Sequence, residues 1–159
     1  MNPVFDERTE RNIATLHPKA QELARKFMAL AVPAMREHGL EVRVIAGMRT
    51  FAEQNAIFAE GRTKPGTIRT NARGGYSWHC WAGAFDVGLF DGQAYLGDSP
   101  QYADLGKIGK AVGLEWGGSW KFCDEPHFQL RPPCVEGLKD SEAFAKLLAR
   151  KASGQDVFS

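Results

Sequence analysis

The run Ser77-Trp78-His79-Cys80-Trp81-Ala82-Gly83-Ala84-Phe85-Asp86 places the tightest limit on how this chain can fold. From Ala84 to Phe90 the side chains alternate as on a β-strand, so Phe85, Val87 and Leu89 share the core face. Asp86 falls on the other face with Ala84 and Gly88, and a carboxylate flanked by the two smallest residues has room beside it. His79 stands seven positions before Asp86, an odd spacing that an unbroken strand would send to the opposite face. The chain must therefore turn between them, and Gly83 is the expected place for the bend. His127, 41 residues after Asp86, lies in a second strand pattern, Pro126 to Leu130. There Phe128 and Leu130 point inward, and His127 and Gln129 occupy the open face. Asp124 lies on the approach loop, and Pro132-Pro133 ends the strand.

The remaining elements follow from periodicity and punctuation. Met1 to Thr15 is polar, and Pro18 suits the first turn of a helix. Ala20, Leu23, Ala24, Phe27, Met28, Ala31 and Met35 then form one apolar stripe running towards Glu37, with Pro33 bending or shortening its end and Gly39 closing it. His17 and His38 sit at the two ends of this helix in capping or surface roles. Glu41–Ala46 reads as a strand ended by Gly47. Thr50 and Glu53 make a capping box that opens a helix carrying Phe51, Ile57 and Phe58 as far as Gly61. The loop from Gly61 to Gly75 holds four cations, Arg62, Lys64, Arg69 and Arg73, and no acid. It reads equally as a solvated loop and as a surface for an anionic substrate. Asp91-Gly92 turns the chain into a short strand at Gln93–Leu96, and Pro100 opens a helix that ends at Gly113. Leu114 to Trp120 is glycine-rich enough to predict irregular structure, in which Trp116 and Trp120 pack or wall a cleft. Ser141–Lys151 reads as a closing helix with Phe144, Leu147 and Leu148 inward.

A chain of 159 residues is read as one domain. A net charge of +1 gives no support to bulk binding of nucleic acid. Three cysteines, Cys80, Cys123 and Cys134, make neither a disulfide framework nor a C-x-x-C pair. Met1–Arg11 is charged and has no apolar segment of the signal-peptide kind, and Phe27–Met35, broken by Pro33, is far short of a membrane span. The expectation is synthesis in the cytoplasm without stable membrane insertion.

His79, Asp86 and His127 are a donor set for one zinc ion with a coordination position left open, although no H-E-x-x-H helix fixes their geometry. Such an ion lowers the pKa of water to roughly 7. A base must then carry the proton, and spacing alone does not choose between Asp124 and Glu125. Arg49, just after the first strand, is the candidate for stabilising a developing oxyanion.

These residues resemble the zinc peptidases of bacterial cell-wall peptides, the D-alanyl-D-alanine carboxypeptidases and dipeptidases and the phage L-alanyl-D-glutamate endopeptidases. The family signature is S-x-H-x-x-G-x-A-x-D followed by Asp or Glu three residues before a second His. Ser77, His79, Ala84 and Asp86 match its first part, and Asp124 and His127 its second. Gly47-Met48-Arg49-Thr50, Glu53-Gln54 and the loop Gly61-Arg62-Thr63-Lys64-Pro65-Gly66, typical of the phage enzymes, extend the similarity from about residue 10 to 131. One position departs, because Ala82 stands where the family usually has glycine. A left-handed conformation there would cost alanine on the order of 1 kcal/mol unless Gly83 takes over the bend.

The resemblance implies an α+β fold, a single small domain with a central, mainly antiparallel sheet and flanking helices, as in hedgehog and D,D-peptidase domains. Residues 132–159 would be a helical extension, with no separate wall-binding domain. It implies zinc on His79, Asp86 and His127, Asp124 as catalytic base, and Arg49 on the substrate carbonyl or transition state. Candidate substrate contacts are Arg62, Lys64, Gln54, Ser77 and Trp116. The expected protein is a monomeric phage-type endolysin cutting the L-alanyl-D-glutamate bond of peptidoglycan stems. It would be released to the wall by a separate holin-type membrane protein. The alternatives are a D-alanyl-D-alanine peptidase, a zinc-binding module of the same fold without catalysis, and thiol chemistry at Cys80.

Overall fold

Burial of one continuous apolar face decides the architecture of the first of two compact units, residues 4–47 and 84–130 of the described chain. In the computed structural model, which describes residues 4–158, helix α2 (Pro18–Arg36) buries Ala20, Ala24, Phe27, Met28, Ala31 and Met35 of the stripe read from its sequence, with Leu23 partly buried at its edge. Strand β1 (Glu41–Ala46) follows and pairs antiparallel with β2 (Ala84–Asp91). Strand β5 (His127–Gln129) pairs with the start of β2, and β3 (Ala94–Leu96) with its end. A two-residue strand β4 (Glu115–Trp116) adds to β5. Among the described residues the sheet has five strands, all paired antiparallel, in the order β1-β2-β5-β4 with β3 off that path.

Phe85 and Phe128 are cross-strand partners, stack with centroids 5.8 Å apart, and both meet Phe27 of α2. Helix α4 (Gln101–Val112) ends at Gly113, which takes a positive φ of 103°. The buried Tyr102 of α4 receives a hydrogen bond from the Leu89 N–H and donates to the Leu96 carbonyl. The N-terminal segment contains helix α1 (Glu7–Ala14), capped by Asp6, whose carboxylate accepts from the Thr9 N–H and hydroxyl. Leu114–Trp120 is not wholly irregular, because backbone pairing to β5 draws Glu115 and Trp116 into the sheet.

The second unit comprises residues 48–83 and 131–158 of the described chain. Helix α3 (Phe51–Ala59) carries the expected capping box between Thr50 and Glu53. A 3-10 turn spans Trp78–Trp81. Helix α5 (Asp140–Ala152), read from sequence as part of an extension, packs into this unit. Its Phe144 lies 4.6 Å from the Trp78 ring, and Trp81 meets Phe51 at 5.5 Å. Trp78 and Trp81 are both buried.

The bend after the 3-10 turn falls on Ala82, with φ 57° and ψ 23°, rather than on Gly83. Among the described residues it is the one non-glycine residue with positive φ. Ala82→Gly removes the Cβ from that left-handed conformation. We expect it to stabilise the protein by about 0.5–1 kcal/mol, read as a raised melting temperature.

Glu10 and Arg25 form a paired contact at 2.7 and 3.2 Å, with side chains 27% and 26% exposed. The hydrogen bond from Arg25, then that from the Phe5 N–H, hold the Glu10 carboxyl below its ordinary 4.5. A depressed carboxylate pKa gives stability that is present above the ordinary value and lost as pH falls through the depressed one. Glu10→Gln should therefore lower stability by about 1 kcal/mol at neutral pH. Chemical unfolding across the acid range should show that difference closing below 4.5.

Candidate metal centre

Register brings Asp86 and His127 together, because they are direct partners across β2 and β5. Asp86 Oδ1 stands 3.3 Å from His127 Nδ1, and Asp124 Oδ2 stands 3.9 Å from the same nitrogen. The His127 ring is 7% exposed and Asp124 about half exposed, at 51%. Burial pulls the ring towards neutrality. The hydrogen bond and charge of Asp86, the hydrogen bond of Gln129 and the charge of Asp124 outweigh it and lift its pKa above the ordinary 6.5. The pocket thus favours positive charge at Nδ1.

His127 and Gln129 are buried, contrary to their reading as residues of an open face. Trp120 covers part of the His127 ring at 4.9 Å, and Gln129 Oε1 lies 2.7 Å from His127 Nε2. Alternation places Gln129 on the face of His127, but its part in the site carried no separate sequence signal, and Glu115 carried none.

The loop bearing Asp124 is held at both ends. The Asp124 N–H donates to the Gly117 carbonyl at 2.9 Å, and a Cβ at Gly117 would strike the Asp124 carbonyl. Half-buried Trp116 donates from Nε1 to the Glu125 carbonyl at 2.7 Å and packs over Gly106 and Gly118. Trp116 therefore acts as a post for the loop.

His79 lies in the 3-10 turn, where its N–H donates to Ser77 Oγ at 3.3 Å and its carbonyl accepts from the Arg49 N–H at 2.9 Å. The side-chain role visible for Ser77 is this cap. The Arg49 guanidinium donates to Gln54 Oε1 at 3.0 Å, and Gln54 Nε2 donates to the Ala72 carbonyl at 2.9 Å. Gln54 is wholly buried, so it holds Arg49 in place and presents nothing to a substrate.

Arg62 lies over the Phe58 ring at 3.9 Å and donates to the Phe58 and Thr70 carbonyls and to Asn71 Oδ1. Arg69 pairs with Glu60, and Arg73 lies 5.3 Å from the Phe58 ring. Much of the loop's positive charge thus ties the loop to α3 and its C-terminal end. Lys64 is exposed.

His79, Asp86 and His127 each offer one donor atom, and these atoms lie within 4.8 Å of one another. Zinc ligands bound at roughly 2.0–2.2 Å around a tetrahedral ion stand about 3.3–3.6 Å apart. Two imidazole nitrogens and a carboxylate oxygen therefore fit zinc in donor chemistry and come close to it in size. Asp124 is not one of the three, and its Oδ2 stands 3.9 Å from His127 Nδ1. Cys80 is buried, and that burial pushes its thiol up, which disfavours the thiolate that nucleophilic chemistry requires. His17, as expected, caps α2 by accepting from the Lys19 N–H. Among the described residues no helix is long and apolar enough to cross a membrane.

Known proteins resemble this chain in sequence and in fold. A sequence profile described as D-alanyl-D-alanine carboxypeptidase matches residues 70–130, the segment that carries all three donors and Asp124. The peptidoglycan L-alanyl-D-glutamate endopeptidase CwlK of Bacillus subtilis (strain 168) is 35% identical over 130 residues, 74% of this chain and 74% of its own. The crystal structure of the Serratia marcescens L-Ala D-Glu endopeptidase ChiX shares the fold. Its TM-score is 0.56 at 24% identity, with 81% of this chain and 90% of that chain covered. The chain belongs to the family of cell-wall peptidases that comprises the D-alanyl-D-alanine carboxypeptidases and the L-alanyl-D-glutamate endopeptidases.

Proposed function

We propose that the protein is a zinc-dependent endopeptidase that hydrolyses the L-alanyl-D-glutamate bond of peptidoglycan stem peptides. The observation that carries this reading is the clustering of His79, Asp86 and His127 within 4.8 Å, in a chain 35% identical to an enzyme of that specificity. When bound, the zinc ion would act as a Lewis acid on the scissile carbonyl and make water acidic enough to attack near neutral pH.

The protein's own groups supply the rest. His79, Asp86 and His127 hold the ion. Asp124, on a loop fixed at Gly117 and through Trp116, takes the proton from the attacking water and delivers it to the leaving amine. The half-exposed position of its carboxylate suits a group that must meet both water and substrate. Arg49 is held by the neutral Gln54, which leaves its positive charge uncancelled by that partner, and it stabilises the negative charge growing on the carbonyl oxygen.

The narrower form of the proposal is a phage-type endolysin acting on the wall after release from the host cytoplasm, as a monomer and with a separate holin-type protein opening the membrane. The Gly61–Gly66 loop, similar to that of the phage enzymes, supports it.

Mass spectrometry of fragments from digested peptidoglycan tests the bond. New N-terminal D-glutamate is expected, whereas released D-alanine would make the protein a carboxypeptidase. His127→Ala should lose its zinc by elemental analysis, and full occupancy would remove His127 from the ligand set. Asp124→Asn should keep the metal and lose about 100-fold or more in kcat on a defined stem peptide. Near-normal turnover would move the proton-transfer role to Glu125.

A further inference from the structure

Gln129 is a wholly buried polar residue on the strand that carries His127, and both ends of its amide are engaged. Its Nε2 donates to Glu115 Oε2 at 2.7 Å, and its Oε1 faces His127 Nε2 at 2.7 Å. Strand pairing builds this arrangement, since Glu115 of β4 is the register partner of Gln129, and Gln129 and His127 are two apart on one face of β5. On its other side Gln129 is partnered by Ala84, whose small side chain leaves space for the amide.

The chemistry of the three groups gives the chain a direction. An ionised carboxylate only accepts hydrogen bonds, so the amide atom facing Glu115 has to be the NH2. That turns the amide oxygen towards His127, and an oxygen there requires Nε2 to carry its proton. In the neutral ring, Nδ1 is then left with the lone pair, on the side where Asp86 and Asp124 stand at 3.3 and 3.9 Å. An apolar residue would serve the core at position 129 without the desolvation of a carboxamide.

We propose that Glu115 and Gln129 are positioning residues that lock His127 in the Nε2–H tautomer and so present Nδ1 to the metal. The inference rests on the reading of His127 as a zinc ligand. Neither residue touches the substrate or the ion, and both act through the imidazole. The effect expected of such an outer partner is on metal affinity, about 10–100-fold for its loss.

The wild-type protein supplies the first test. Long-range proton–nitrogen NMR of the metal-free chain, at a pH where the ring is neutral, should show His127 protonated at Nε2, and a dominant Nδ1–H form would overturn the proposal. Gln129→Met keeps the volume of the buried side chain but offers no comparable acceptor. It should lose the tautomer bias and weaken zinc binding about ten-fold or more in competition with a chelator. Glu115→Ala lies at an exposed position, is spared the folding risk of a core substitution, and should shift tautomer and affinity the same way by several-fold. Folded variants with the wild-type tautomer and zinc affinity would contradict the proposal while leaving the endopeptidase reading intact. A wild-type protein that takes up no zinc would instead defeat that reading, and the proposal with it.

Discussion

The register that sets Asp86 opposite His127 is the constraint on which the rest of the site depends. A slip of one residue would turn His127 to the core face and present Phe128 to the polar one. Polar pairing does not hold that register. Phe85 and Phe128 do, as cross-strand partners stacked at 5.8 Å and closed over by Phe27 at 5.9 and 4.7 Å. Three wholly buried phenylalanines each contribute on the order of 2–3 kcal/mol of apolar burial, far more than a buried carboxylate–imidazole contact yields after desolvation. The apolar face of β2 and β5 therefore fixes the position of the polar face. An irregularity in β1 between Val44 and Ala46 falls where that strand meets Asp86, a place where an extra residue re-aims neighbouring side chains.

The residues around His79 are organised by a different means. No strand holds this histidine. A short 3-10 turn does, with Ser77 capping one end and the left-handed Ala82 closing the other. Trp78 and Trp81 anchor the turn among aromatic rings, with Phe144 and Arg131 against the first and Phe51 against the second. The chain thus accepts local backbone strain at Ala82 because large buried rings determine the turn on both sides of His79. Helix α5 belongs to this support through Phe144, so the C-terminal segment contributes directly to holding the histidine segment.

Strands and helices with strong periodicity were legible in the sequence. Glu41–Ala46, the stripe of α2, the capping box of α3 and the alternation of β2 all form as read, because each pattern states its own face and its own ends. The pairing of Asp86 with His127 was implicit in two alternating segments, and the family signature drew His79 into the same group. What sequence could not give was the partner of a side chain. Gln54 and Trp116 read as substrate contacts, but tertiary packing makes the first a buried support for Arg49 and the second a post for the Asp124 loop. The basic loop read as a possible anion surface, whereas Phe58 and nearby carbonyls engage Arg62. Ala82 was legible as a departure from pattern, yet only backbone geometry shows that the alanine itself makes the bend. Helix α1 was missed because its apolar content is small, and Asp6 with Thr9 was the cap signal available.

Zinc K-edge X-ray absorption of the metal-loaded protein reads the donor set directly. With His79, Asp86 and His127 on the ion, the first shell holds nitrogen and oxygen donors only, at roughly 2.0–2.2 Å, with the outer-shell signature of two imidazoles. A sulfur scatterer near 2.3 Å, or a shell with no imidazole pattern, would contradict it.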